Sequence, residues 1–248
     1  MVDALTGNQL LAERYDAETK DLFDLQDDIT LKVLSAVQVK LTGVPPTGMK
    51  YFKGTHGLDC LLKFQEAVGY VNRNTLVDTL KAQQVAEEAL AMCPEIPNAY
   101  RILAMVYTNY YWFDSSRSPQ ESIEKATELL QKTLAMDDSH APAHGNLSII
   151  YLQNREYDKA IAEGERAVSL DQGSPFTAFA YGKALVYSGR PEEAIPLFEK
   201  AIRLNPLAPS PFYNHLGLAF RLTGRLEEAV ALNKKSLLRA PNDFWVHA

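Results

Sequence analysis

The chain has 248 residues, of which 46% are hydrophobic and 23% are charged, a balance typical of a folded protein with a substantial core. The net charge of −6 at pH 7 argues against a nucleic-acid partner, because phosphate binding needs a dense basic face. No apolar run approaches the roughly 18 residues of a membrane span, and the first residues lack the basic and apolar segments of a signal peptide. We therefore expect no direct membrane insertion and a cytoplasmic location.

The N-terminal segment, residues 1–48, differs in pattern from the rest of the chain. Residues 2–15 predict a short β-hairpin with its turn at residues 6–8. Apolar residues at three- and four-residue steps then predict an amphipathic helix from Leu22 to about Leu41, followed by a linker at residues 43–48. Four aspartates lie along this helix, where their spacing fits a solvated face better than a cation site. They are Asp21, Asp24, Asp27 and Asp28.

The two cysteines, Cys60 and Cys93, are too few for a disulfide framework in a chain of this length. Both lie within helical patterns, where a free cysteine behaves as a small buried apolar residue. We therefore expect two free thiols and a reducing compartment.

An internal repeat runs through residues 49–248. Its clearest marks are alanines in one frame, Ala82, Ala126, Ala160, Ala194 and Ala229, at intervals of 44, 34, 34 and 35 residues. A repeat of this length is typical of stacked helical units. The long first interval predicts an insertion of about ten residues, which we interpret as a loop around residues 110–116. The predicted repeats span 57–94, 97–138, 141–172, 175–206 and 210–241, and another begins at 243–248.

The last two repeats carry the most complete motif. Each has two glycines seven residues apart and an alanine five residues later: Gly182, Gly189 and Ala194, then Gly217, Gly224 and Ala229. Small residues let two helices approach closely. Gly189 and Gly224 suit the left-handed end of a first helix, and Pro191 suits the start of a second.

This pattern resembles the 34-residue tetratricopeptide repeat. The resemblance implies an all-α fold, a right-handed superhelix of helix-turn-helix repeats, preceded here by the short N-terminal hairpin and helix. Residues 3–16 and 21–41 are also similar to a segment of bacterial multidomain proteins that closes a TolB-like domain before such repeats. The domain upstream there is often a class III adenylate or guanylate cyclase, or a winged-helix domain. That similarity implies a C-terminal part of a longer signalling protein.

No residues form a recognisable catalytic or cofactor site. His140 and His144 are four residues apart, a spacing that could bind zinc on one helix face. However, His140 precedes Ala141 and Pro142, so it is expected at or before the helix start, and no third ligand is evident. Nucleophile motifs and phosphate-binding loops are absent from the sequence. We expect no enzymatic activity, no cofactor and no metal in this chain.

The resemblance implies a concave surface lined by the first helix of each repeat. We expect a protein or peptide to bind there, with apolar anchors and some acidic character. The predicted contacts are Asn98, Arg101, Met105, Asn109, Asn146, Ile149, Gln153, Phe176, Phe179, Lys183, Tyr187, Asn214, Leu218 and Arg221. The carboxylate clamp of some relatives is not reproduced, although Asn146 occupies one of its positions. Two alternatives stay open: the surface is covered by the chain's own termini or a second copy, or the region is an intramolecular regulator or self-association element of a nucleotide cyclase.

Overall fold

The structure, a computed structural model, describes residues 26, 29–30, 32–33, 57–205 and 208–239. The predicted hairpin at 2–15, the four aspartates, the linker at 43–48 and the repeat beginning at 243–248 lie outside the described residues. Within the predicted amphipathic helix, the described residues are helical, and the Thr30 hydroxyl donates to the Gln26 carbonyl at 2.9 Å.

Ten α-helices form five consecutive helical hairpins between residues 57 and 239, and this described region contains no strand. The helices are α1 (Gly57–Val71), α2 (Leu76–Met92), α3 (Pro97–Phe113), α4 (Pro119–Met136), α5 (Ala141–Gln153), α6 (Tyr157–Leu170), α7 (Pro175–Tyr187), α8 (Pro191–Leu204), α9 (Ser210–Leu222) and α10 (Leu226–Arg239). Each hairpin lies within one of the five repeat ranges. Among the described residues, no helix has both the length and the apolar character needed to cross a membrane.

The turns within the hairpins use left-handed residues. The prediction for Gly189 and Gly224 is confirmed, because their φ angles are +80° and +79°. Two other hairpins place a side chain in the same region, with φ 60° at Arg155 and 55° at Asn74. A left-handed conformation costs a residue with a Cβ about 1–2 kcal/mol. The turn geometry is therefore kept in repeats whose sequence lacks the glycine.

Small residues allow the close helix packing that the motif predicts. A Cβ built on Gly182 would lie 2.8 Å from the ring of Phe198, which is fully buried. In the third hairpin Ser148 stands where Gly182 stands in the fourth, and its hydroxyl donates to the Ala160 carbonyl at 2.7 Å. The hydroxyl is therefore satisfied inside the core.

The insertion in the second repeat is helical over most of its length, and the loop prediction is wrong for residues 110–113. Helix α3 continues to Phe113, and only residues 114–118 connect it to α4. Tyr110 is 1% exposed and packs with Val71 and Val106. The segment stays helical because Tyr110 continues the apolar face of α3 and is buried against the first hairpin.

The expectation of two free thiols is also wrong. Cys60 in α1 and Cys93 at the end of α2 are joined as a disulfide, with their Cα atoms 6.4 Å apart. Both residues are buried between the two helices. The sequence places them 33 residues apart, and the antiparallel return of α2 brings them together.

Candidate partner-binding groove

A groove of about 1630 Å³ runs along the first helices of the second to fifth hairpins, α3, α5, α7 and α9. We call it the concave groove. Thirteen of the fourteen predicted contact residues line it: Arg101, Met105, Asn109, Asn146, Ile149, Gln153, Phe176, Phe179, Lys183, Tyr187, Asn214, Leu218 and Arg221. The exception is Asn98, whose side-chain oxygen accepts a hydrogen bond from Arg101 Nε at 2.7 Å.

Two of these residues serve the fold. Phe179 is 7% exposed and belongs to the core beneath the groove floor. The Asn109 amide is also buried, and it donates to the Val71 carbonyl at 2.8 Å, which joins α3 to α1. Both side chains therefore make contacts within the fold and do not contribute to partner binding.

The exposed aromatic residues are concentrated in the groove. Among the described residues, three aromatic side chains are highly exposed: Trp112 at 47%, Tyr157 at 41% and Tyr187 at 49%. All three line the concave groove. Sequence reasoning identified Tyr187 but missed Trp112, because its segment was interpreted as a loop, and Tyr157, because only first-helix residues were considered.

The groove is basic. Its cations are Arg73, Arg101, Arg155, Lys183 and Arg221, and none of the described residues that line it is Asp or Glu. Arg73 and Arg155 lie in the turns between paired helices, so the first-helix register could not identify them.

His215 also lines the groove and was missed for a different reason. Its position in α9 adjoins the predicted contact Asn214, but no sequence signal distinguishes a groove-facing histidine from a core one.

Arg101 links two neighbouring repeats at the groove floor. Its Nη1 lies 3.4 Å from the side-chain oxygen of Asn146 on α5 and 3.0 Å from the sulfur of Met105. Burial lowers the pKa of Arg101 to about 10, so the guanidinium is protonated at neutral pH. Its described partners are all uncharged, and the positive charge stays uncompensated by a carboxylate.

Lys183 on α7 and His215 on α9 both lie near the Phe179 ring. The Lys183 ammonium lies 5.7 Å from the centroid of the Phe179 ring, and burial lowers the pKa of Lys183 to about 8. Burial, and then the charge of Lys183, lower the pKa of His215 to about 3. The neutral His215 ring donates from Nδ1 to the Pro211 carbonyl at 2.8 Å. At neutral pH the ammonium therefore carries the positive charge of this pair.

The Gln153 side chain has unsatisfied hydrogen-bonding capacity. Both its amide nitrogen and its amide oxygen are buried without a hydrogen-bond partner. Leaving a buried polar group unpaired costs about 1–3 kcal/mol. Gln153 ends α5 on the groove wall, but its amide atoms lie beneath the surface.

The histidines weighed as zinc ligands have structural roles. His140 caps the start of α5, as predicted, and its Nδ1 accepts from the Ala143 amide at 3.2 Å. His144 Nδ1 lies 2.6 Å from a carboxylate oxygen of Glu163, and its Nε2 lies 2.9 Å from the Asp138 carbonyl. Within the described ranges no group of three His, Cys, Asp or Glu side chains is placed to hold a metal ion.

The family comparison agrees with the repeat geometry. The model of the family described as "Tetratricopeptide repeat" matches residues 120–175 and 179–244. The chain contains tetratricopeptide repeats. The crystal structure of a thermophilic tetratricopeptide-repeat protein from Thermus thermophilus is similar, with a TM-score of 0.59 at 18% identity over 76% of this chain and 95% of that one. At that identity the likeness shows the fold alone.

Two curated proteins are similar in sequence to the tetratricopeptide-repeat chain. One is "Putative adenylate cyclase 3" of Rhizobium meliloti (strain 1021), 28% identical over 166 residues, which cover 64% of this chain and 27% of that protein. The other is "Mitochondrial import receptor subunit TOM70" of Rattus norvegicus, 23% identical over 146 residues, covering 58% of this chain and 22% of that protein. The matched region thus spans about a quarter of each relative.

Proposed function

We propose that this chain is a non-catalytic scaffold that binds a peptide or protein in the concave groove, as the interaction region of a larger bacterial signalling protein. The observation that carries the proposal is that the groove contains every highly exposed aromatic side chain of the described residues, Trp112, Tyr157 and Tyr187. Tyrosine, tryptophan and arginine are the residues that most often anchor protein interfaces. The groove presents them beside Arg73, Arg155 and Arg221.

The similarity to an import receptor subunit, which its name describes as a receptor, is consistent with a surface that binds other proteins.

The test is affinity capture from a host lysate, read by mass spectrometry and repeated with the purified captured protein by calorimetry. Baits would be the chain itself, a groove variant with Tyr157→Ala and Tyr187→Ala, and a control with Leu62→Ala and Leu80→Ala. The control leucines are 57% and 50% exposed and lie outside the groove. We expect a partner that binds the wild type and the control but is lost with the groove variant. Equal binding by all three baits would contradict the proposal.

A second candidate is self-association or intramolecular regulation of an adenylate or guanylate cyclase. The similarity to an adenylate cyclase favours it, as do the exposed apolar side chains of α10, which include Leu226 at 59% and Leu238 at 85%. Sedimentation over a hundredfold concentration range separates the candidates. A dimer that Leu226→Ser and Leu238→Ser abolish, in a protein that captures no partner, would favour self-association.

A further inference from the structure

The groove and the remainder of the protein differ in the sign of their charge. The chain has 31 acidic and 25 basic residues, yet the described residues that line the groove include five cations and no acid. Ion pairs of the described chain involve acids elsewhere, for example Arg190 with Glu193. Arg73 pairs at 3.2 Å with Asp78, which is not among the residues that line the groove. The groove walls themselves therefore present positive charge without a carboxylate.

Lys183 lies on α7, which comes between α3 with Arg101 and α9 with Arg221 in the order of the first helices. It lies on the inner face of α7, with the rings of Phe179 and Tyr187 on its own helix and His215 on α9. No carboxylate lies among the described groove residues to compensate it. A partly buried ammonium without a counter-ion lowers stability, so a bound carboxylate would both gain a partner and relieve that cost.

We infer that the concave groove selects an acidic partner: an extended peptide that carries Asp or Glu side chains as well as apolar ones, anchored by a side-chain carboxylate on Lys183. This inference rests on the proposed function and specifies the chemistry of the partner. The apolar side chains would pack on Ile149, Leu218 and the exposed Tyr187 ring, which line the same surface. Charge complementarity between the carboxylates and the groove cations supplies selection.

Nucleic acid is also anionic, but the groove is poorly suited to it. Phosphate binding needs closely spaced cations on a basic face, whereas these five are separated by apolar and amide side chains within an acidic protein. An acidic peptide supplies carboxylates at intervals and apolar side chains between them.

The experiment is selection from a library of random twelve-residue peptides displayed on phage and fused through their C-termini, so that only side-chain carboxylates are offered. Three baits of the whole chain would be used: wild type, Lys183→Met, and Lys234→Met as the matched control. Lys234 is exposed on α10, outside the groove, and its replacement removes the same charge. We expect the wild type and the control to enrich peptides with Asp or Glu beside apolar residues, and Lys183→Met to lose that enrichment.

A selected peptide would then be synthesised with a C-terminal amide and titrated by fluorescence anisotropy. Replacing its acids by Asn or Gln, or using Lys183→Met, should weaken binding by about tenfold or more, while Lys234→Met should leave it unchanged. Thermal melts would show that Lys183→Met is folded. A melting temperature equal to or above that of the wild type is expected, because the substitution removes a desolvated charge.

The outcomes separate this inference from the proposed function. Enrichment of neutral or basic peptides, or equal enrichment of acidic ones by Lys183→Met, would overturn the acidic-partner inference and leave peptide binding intact. Binding of nucleic acid in place of peptides would overturn it as well. If no bait enriches any peptide, both this inference and the peptide-binding function fail.

Discussion

The rings of Phe179 and Phe212 stack face to face, with their centroids 4.3 Å apart and their planes 10° from parallel. They join α7 to α9, and both side chains are buried. The sequence register places Phe179 on the inner face of its helix, but the neighbouring repeat covers its ring. A residue in a groove-facing register can therefore belong to the core.

Phe179→Ala should consequently act on stability. We expect the free energy of unfolding to fall by about 3–5 kcal/mol, the usual cost of removing a buried aromatic ring, as measured by urea denaturation. The control is Tyr187→Ala, which truncates a ring that is 49% exposed and should change stability by about 0.5 kcal/mol or less. A small loss of unfolding free energy in Phe179→Ala would indicate that the ring is exposed in the groove.

Gly182 and Gly69 should respond in opposite directions to the same substitution. A Cβ on Gly182 would lie 2.8 Å from the buried Phe198 ring, whereas a Cβ on Gly69 meets nothing within 4 Å. Gly182→Ala should cost about 1–3 kcal/mol through overpacking. Gly69→Ala should stabilise by about 0.5–1 kcal/mol, because alanine is the better residue in a helix interior. Thermal melts test whether Gly182→Ala lowers and Gly69→Ala raises the melting temperature. A higher melting temperature for Gly182→Ala would contradict the close packing.

The Arg155 turn offers a stabilising substitution. Arg155 has φ 60°, while Gly189 holds the matching turn at +80°. Arg155→Gly should raise the free energy of unfolding by about 1 kcal/mol, and Gly189→Ala should lower it by about as much. The pair is checked by chemical denaturation in one buffer. A loss for Arg155→Gly would mean that contacts of its side chain outweigh the backbone cost.

The His144–Glu163 pair should make stability depend on pH. The hydrogen bond from His144 Nδ1 to Glu163, 2.6 Å long, raises the pKa of His144, against burial and the nearby Arg166 charge. A raised histidine pKa stabilises the fold fully below the unfolded value of about 6.5, and this contribution is lost as pH rises through the folded value. The melting temperature should therefore differ more between wild type and Glu163→Gln at pH 5.5 than at pH 9. An equal difference at both pH values would show that the charge of His144 contributes nothing.

The disulfide should stabilise the first hairpin. It closes a loop with a sequence separation of 33 residues, which corresponds to about 3–4 kcal/mol of lost chain entropy in the unfolded state. Reduction, or Cys60→Ala with Cys93→Ala, should lower the melting temperature. Thiol titration of the native protein without reductant should detect no free thiol. Two titratable thiols, together with no effect of reductant on the melting temperature, would show that both cysteines are free, as the sequence predicted.

Much of the groove could be predicted because the resemblance to tetratricopeptide repeats indicates which positions of each first helix face inward, and residues in one helical register share a face. Those positions placed Ile149, Lys183 and Leu218 on one surface, and the structure places them there. The register could not place Arg73 or Arg155, which lie in turns, since turn side chains follow no helical period. Nor could it show that Asn109 is occupied by a hydrogen bond to Val71, because that contact joins two repeats.

The sequence by itself determined the repeat, its period and the special residues at the turns, because helix periodicity, glycine at positive φ and small residues at close approaches are local requirements. The predicted N-terminal hairpin, the outer bounds of the array and the identity of the partner stay predictions. Only the tertiary structure decided that the insertion extends α3, that Cys60 meets Cys93, and that Arg73, Arg155, Trp112 and Tyr157 join the predicted groove residues. Those outcomes depend on contacts between residues distant in the chain, and such contacts arise only when the two helices of a hairpin pair and successive hairpins stack.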